Sequence, residues 1–235
     1  MLIALKNTGI MIIATIVGEV GLAIVLSLLV SNIKKGAGFF RVVYFFPIVI
    51  SATALGLLFN LVFLYDKGMI NQLLQLIGVL DAGKNELIDW KATHPMFTML
   101  VPVIWQYVGF YFIILLTGLS GIPEDLYEAA EIDGASKWQV YQKITLPLIK
   151  PTIIYITITS IIGGMQLFDV PATMSDGTGE PDKAILTTAM YLYNQGFKNH
   201  NYGYSAAISV GLFVIIGFMS FISLRVMKGK EKNYG

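Results

Sequence analysis

The sequence predicts an all-α, polytopic membrane protein, and three observations carry that reading. Hydrophobic residues make up 55% of the 235 and charged residues only 13%, against about 25% charged in an ordinary soluble domain. The apolar residues gather into five runs, each near the roughly 20 residues that a helix needs to cross a hydrocarbon core. The basic residues gather in alternate connections between those runs, as expected where Lys and Arg stay on one side of a bilayer. Read as transmembrane helices, the five runs extend from Thr8 to Val30, Phe40 to Leu64, Phe97 to Leu119, Leu148 to Phe168 and Tyr204 to Met227.

The first span carries Glu19 near its middle, beside Gly18 and close to Gly21. An ionised carboxylate at that depth needs a partner, a cavity or a proton. Ala14 and Gly18 favour close helix packing, so Glu19 is expected to touch a second membrane subunit. A gating or proton-coupled acid is the functional alternative. Lys34, Lys35 and Arg41 join the first span to the second.

The second span leads into the connection 65–96, and the fourth into the connection 169–203. Together these hold eight acids against five lysines, whereas the other connections and the C-terminus hold ten of the sixteen basic residues. Lys137, Lys143 and Lys150 flank the third connection, and Arg225, Lys228, Lys230 and Lys232 close the chain. The positive side, C-terminus included, is therefore expected to be cytoplasmic. The acids Asp66, Asp81, Glu86, Asp89, Asp176, Glu180 and Asp182 then face outward. The same alternation places Met1 to Asn7 outside with no signal peptide to carry them there, so one further helix is expected to precede residue 1.

The third and fourth spans carry the polar residues expected to line a path. Trp105, Gln106, Tyr107, Phe110 and Tyr111 lie in the third; Thr157, Thr159, Ser160, Gly163, Gly164 and Gln166 lie in the fourth. Aromatic faces beside hydrogen-bonding groups suit a sugar, whose C–H faces stack on rings while its hydroxyls seek donors and acceptors. The competing reading makes Trp105, Tyr107 and Tyr111 an interfacial aromatic belt and the hydroxyls interhelical contacts.

Between these spans runs Gly121-Ile-Pro-Glu-Asp-Leu-Tyr-Glu-Ala-Ala-Glu-Ile-Asp-Gly134, then Ala-Ser-Lys-Trp-Gln-Val-Tyr-Gln-Lys-Ile-Thr-Leu-Pro147. Two short helices are expected here. Pro123 suits a first helical position, Glu124 and Asp125 complement the helix dipole, and Gly134 suits a left-handed stop. Ser136 can cap a second helix running to about Ile144, with Pro147 at its boundary. Leu126, Ala129 and Ala130 share one face; Trp138, Tyr141 and Ile144 share another. Such a pair is a docking knob rather than a catalytic centre.

Glu128-Ala129-Ala130, Gly134, Ile144 and Leu146-Pro147, at these spacings, resemble the EAA motif of binding-protein-dependent ABC importer permeases. The wording around Glu128 resembles the sugar-importing subgroup that includes maltose and multiple-sugar permeases. The resemblance implies the MetI-like permease fold, with six or more helices, and a chain that forms one transmembrane permease domain over 1–235. It implies that 120–147 is the coupling loop, seated in a cleft of a cytoplasmic ATPase dimer. Glu128 would be a polar contact there, Ala129 and Ala130 the packed face, and Gly134 the turn. The further partners implied are a second permease subunit, of different sequence, and an extracytoplasmic solute-binding protein that delivers a sugar. The setting implied is a bacterial or archaeal plasma membrane. By position in the related maltose permease, Gln106, Tyr107, Phe110, Ser160, Gly164 and Leu167 would contact substrate, although Gly163 and Gly164 depart from that relative.

Other function classes fare worse. The net charge of +1 and the absence of a basic stripe give no footprint for nucleic acid. With no cysteine and only His94 and His200, no metal site or cofactor is expected. No Gly-Lys-Ser or Gly-Lys-Thr phosphate loop occurs, so ATP hydrolysis would belong to a partner and this chain is not an enzyme. An ion-coupled transporter would want more intramembrane charge than Glu19 and, commonly, inverted repeats.

Overall fold

The computed structural model describes residues 1–31, 33, 36–80 and 86–231. Lys34, Lys35, Asp81 and Lys232, which bear on the orientation and the outer face, lie outside the described residues, as do the side chains of Lys228 and Lys230. No strand occurs among the described residues. In chain order the helices are α1 (Leu2–Thr15), α2 (Leu22–Ser31), α3 (Ala37–Phe45), α4 (Ala52–Val62), α5 (Met69–Leu76), α6 (Trp90–Thr93) and α7 (Pro95–Ser120). There follow α8 (Glu124–Ile132), α9 (Lys137–Val140), α10 (Leu146–Met165), α11 (Asp169–Met174), α12 (Thr188–Tyr193) and α13 (Tyr202–Glu231).

Among the described residues four helical stretches are long and apolar enough to cross a membrane: Leu2–Ser31, Pro95–Ser120, Lys137–Met174 and Tyr202–Ile222. The first joins α1 to α2 through a wide π-type turn, Ile16–Gly21, and so begins before the Thr8 expected for it. The second expected span is not one straight helix. Ala37–Val49 and Ala52–Val62 meet at a 95° bend and supply the fifth span only as a broken pair. The cause is Pro47, which sits in a tight turn over Phe46–Val49. Proline lacks the N–H that an α-helix needs at that point and its ring crowds the preceding turn. Beyond it Ser51 adopts an extended backbone, φ −55 and ψ 133, before α4 starts.

The helices contribute to two compact units made of interleaved segments. One comprises Met1–Thr15, Ile50–Trp105 and Gly163–Val214; the other comprises Ile16–Val49, Gln106–Ile162 and Ile215–Gly235. In lipid, side chains gain little by leaving an equally apolar solvent, so helices associate through close packing and through hydrogen bonds. Both devices are visible in each unit.

In the second unit the Ile16–Gly21 turn, α2, α7 and α10 share a core of Val20, Ala23, Val108, Phe112, Leu115 and Ile156. Gly109 of α7 meets the carbonyl of Tyr44, where a Cβ would overlap the backbone. Gly118 meets Thr152, whose Oγ1 would lie 2.9 Å from an added Cβ. The Tyr44 and Phe112 rings meet edge to face, with centroids 5.3 Å apart.

In the first unit α4 packs against α11 at Gly56, where an added Cβ would stand 2.8 Å from the Thr173 Cβ. Asn60 Nδ2 donates to the Thr173 carbonyl (3.2 Å), and Lys91 Nζ donates to Asn60 Oδ1 (2.9 Å). Asn7 ties α1 to the segment before α12 by donating to the carbonyls of Lys183 (2.7 Å) and Leu186 (3.2 Å). Thr8 Oγ1 accepts the N–H of Thr188 at 2.9 Å, which closes the start of α12 onto α1. Asn71, fully buried, donates to the carbonyls of Tyr65 and Ile88 and accepts from Trp90 Nε1, each at 2.9 Å.

Candidate functional site

The connection between α7 and α10 is a pair of short helices held by their own ends. Pro123 stands at the cap of α8, one position earlier than expected, and Glu124 and Asp125 occupy the first turn. At the far end Gly134 takes a left-handed φ of 71°. Its N–H donates to the Glu131 carbonyl (3.0 Å), and that of Ala135 donates to the Ala130 carbonyl (2.9 Å). This pair of bonds closes a helix where only glycine sits without strain. Ser136 then opens α9 with reciprocal bonds: Ser136 N–H donates to Gln139 Oε1 (2.8 Å), and Gln139 N–H donates to Ser136 Oγ (3.4 Å).

The second helix is shorter than expected. α9 ends at Val140, and a wide turn over Tyr141–Thr145 carries the chain into α10. Leu146 N–H reaches back five residues to the Tyr141 carbonyl, and Pro147 follows as the second residue of α10. Pro147 therefore lies within a continuous helical path instead of at a break. The wide turn accommodates a residue that brings no N–H of its own.

The outward surface of this loop is apolar at its tips and acidic around them. Ile132 is 86% exposed and Trp138 64% exposed, and the Trp138 ring stacks on Tyr141 at 5.8 Å. Glu124, Asp125, Glu128, Glu131 and Asp133 are all exposed. Of the two alanines expected on the packed face, Ala129 faces outward while Ala130 is buried against its own chain. The Tyr127 and Thr145 hydroxyls lie 3.3 Å apart, which ties α8 to the wide turn. Ile144 is half-buried, and Leu146 and Pro147 are exposed. Such a surface can bury apolar area against a partner; it holds no nucleophile beside a base.

The residues expected along a path divide between the two units. Gln106, Tyr107, Phe110 and Ser160 lie in the unit containing α8 and α9, and Gly164 and Leu167 lie in the other. Gln106 is buried, Tyr107 and Phe110 are half-buried, and the Phe110 ring meets Tyr111 edge-on at 5.4 Å. Gly164 packs on Ile12, whose Cγ1 would stand 3.0 Å from an added Cβ. α10 stops at Met165, short of the expected Phe168, so Leu167 is half-buried in the link to α11. Tyr111 is only 3% exposed and belongs to the core of its unit, which removes it from any interfacial belt.

Glu19 has a hydrogen-bond partner within its own chain. It is 3% exposed and accepts a hydrogen bond at 2.9 Å from the hydroxyl of Ser160, itself buried. That partner is 141 residues away in sequence. Glu19 also sits in the wide turn Ile16–Gly21, a geometry that rotates a side chain relative to a regular helix. Sequence reasoning missed the pair because nothing local links the two residues.

On the first unit an open recess of about 520 Å³ is lined by Asp89, Lys91, Ser175, Asp176, Thr178 and Glu180, among others. Among the described residues no group of acidic and histidine side chains is arranged to hold a metal ion.

The helical architecture has counterparts among known proteins. The family described as binding-protein-dependent transport system inner membrane component matches residues 22–229, and the chain belongs to it. The lactose transport system permease protein LacF of Rhizobium radiobacter is 34% identical over 233 residues, covering 97% of this chain and 76% of that protein. The arabinooligosaccharides transport system permease protein AraP of Halalkalibacterium halodurans is 35% identical over 225 residues, covering 94% and 69%. Among solved structures, a chain of a bacterial alginate ABC transporter, in complex with an alginate pentasaccharide-bound periplasmic protein, superposes with a TM-score of 0.80. At 21% identity, over 94% of this chain and 76% of that one, it shares the fold. The chain is thus a multi-pass membrane component of a binding-protein-dependent transport system with the MetI-like permease fold.

Proposed function

We propose that this chain forms part of the translocation path for a sugar or oligosaccharide in an ATP-driven importer. The observation that carries the reading is the exposed helix pair α8–α9, closed by Gly134 and Ser136 and bearing Ile132 and Trp138 in the open. A separate ATPase dimer seats this pair, with Glu128 and Ala129 at the contact and Ala130, Ile144, Leu146 and Pro147 holding the loop in shape. ATP hydrolysis belongs to that partner. Names of relatives that handle lactose and arabinooligosaccharides support the sugar assignment.

Gln106, Tyr107, Phe110, Ser160, Gly164 and Leu167 are the residues proposed along the path, with a second permease subunit completing it. A solute-binding protein delivers the sugar at the outer face, the plasma membrane of a bacterium or archaeon is the setting, and the C-terminus is cytoplasmic. Placing 65–96 outside and 121–145 inside follows from the distribution of Lys and Arg.

The test is reconstitution with the neighbouring permease, ATPase and binding protein, reading ATP hydrolysis across a panel of sugars, polyols, amino acids and peptides. One carbohydrate is expected to stimulate hydrolysis, and Glu128→Lys or Gly134→Asp to abolish that stimulation. Stimulation by a non-sugar alone would overturn the sugar assignment, and failure to associate with any ATPase would overturn the importer reading.

A further inference from the structure

α5, outside the five spans, carries an uncovered apolar stripe. A short helix on a water-facing loop normally presents polar residues to solvent and apolar ones to the protein. In α5 and the residue after it, Met69, Leu73, Leu76 and Ile77 are exposed, Leu76 at 82%. They follow the i, i+4, i+7, i+8 spacing of a single stripe. The opposite face holds Asn71, which is fully buried and committed to Tyr65, Ile88 and Trp90. Ile70 and Leu74 are half-buried beside Asn71, and Gln72 is exposed. The helix is thus apolar on both sides, with Asn71 as the polar anchor of the inner one and an uncovered apolar stripe on the other.

The stripe carries no charge: between Lys67 and Asp81 the sequence has no acidic or basic residue. It also lies beside an exposed apolar surface of a helix long and apolar enough, with its broken partner, to cross a membrane. α5 contacts α4, the second half of the broken span, whose Leu57, Leu58, Leu61 and Leu64 are exposed. The turn between the two is tight, with Gly68 N–H donating to the Leu64 carbonyl at 3.1 Å. The rings that flank the Asn71 knot, Phe63, Trp90 and Phe97, pack with centroids 6.2–6.4 Å apart, and α7 enters its span at Pro95. Of these rings Trp90 is the type that collects at the level of lipid headgroups.

We infer that α5 is an interfacial helix that lies on the bilayer, its Met69, Leu73, Leu76 and Ile77 face sunk into the boundary between headgroups and acyl chains. The occupant of the face is lipid, continuous with the lipid around α4. Asn71 sets the rotation of the helix and thereby decides which face goes down. The inference stands apart from the importer reading, since it requires only that α4 and α7 sit in a membrane.

The chain has no cysteine, so a single introduced thiol reports one position. An environment-sensitive fluorophore is placed at Leu76→Cys, at Ile77→Cys as a second reporter, and at Asp66→Cys as an exposed control. Labelled protein is studied in proteoliposomes, in the complex with which it purifies. Lipids carrying a quencher near the headgroup are expected to darken the labels at 76 and 77, while aqueous iodide darkens only the label at 66. Iodide quenching at 76 and 77 would overturn the inference by showing water on that face. Silence toward both quenchers would overturn it equally, by showing that a protein partner covers α5.

Discussion

The connection 121–145 and the segment around Asn71 solve opposite problems. In the first, the capping bonds of α8 and α9 are made between near neighbours: Gly134 to Glu131, Ala135 to Ala130, Ser136 to Gln139. The helix pair largely closes itself, and its large apolar side chains, Ile132 and Trp138, are left uncovered. Around Asn71 the bonds reach across the segment, to Tyr65, Ile88 and Trp90, and the polar side chain is the buried one. A loop proposed to dock on another protein can be finished locally, because such a partner would supply its remaining cover. A segment that must hold one orientation needs a central polar residue whose partners lie in separate pieces of chain.

The contrast is broken most severely by Asn71→Ala. The substitution removes three hydrogen bonds and leaves two carbonyls and an indole N–H without their partner. At roughly 1 kcal/mol for each bond, a loss of about 3 kcal/mol is expected, read as a fall in the thermal unfolding midpoint of the protein in nanodiscs. An unchanged midpoint would show that the segment is held by other contacts.

Ile132→Asp is the complementary change and should leave that midpoint where it is, since Ile132 is almost fully exposed. Its effect should appear only in complex formation. An apolar anchor lost from the centre of an interface costs about 2 kcal/mol, or roughly 30-fold in dissociation constant, measured by titrating the ATPase subunit onto the reconstituted chain. The smallest effect is expected from Ser136→Ala. Loss of the cap costs about 1 kcal/mol, confined to α9, and should speed hydrogen exchange at the Gln139 amide while exchange in α7 stays unchanged.

Hydropathy alone was enough to locate four of the spans, because about 20 apolar residues in sequence is a one-dimensional signal. The loop 121–145 was legible for a similar reason: Gly134, Ser136 and the acids at 124 and 125 act within a turn or two of themselves. The broken second span was missed although Pro47 stood in plain view, because a composition window averages over one proline. The Glu19–Ser160 bond and the Asn71 knot were not legible. Their partners are set by packing between separated segments, and a lone asparagine in a polar connection looks the same whether buried or solvated. The apolar stripe of α5 was readable in the residues, yet its outward direction depends on where Asn71 is anchored.

Gly109 shows how little matter such packing can turn on. The obstacle facing an added methyl group there is the main-chain carbonyl of Tyr44, which has no rotamer by which to step aside. Alanine at 109 would have to push α3 and α7 apart along their length, taking the Tyr44 ring off Phe112 and opening the core that the neighbouring helices share. Tolerance to substitution along α7 is therefore not graded by chemical similarity: the mildest replacement in the alphabet acts at this position as a wedge.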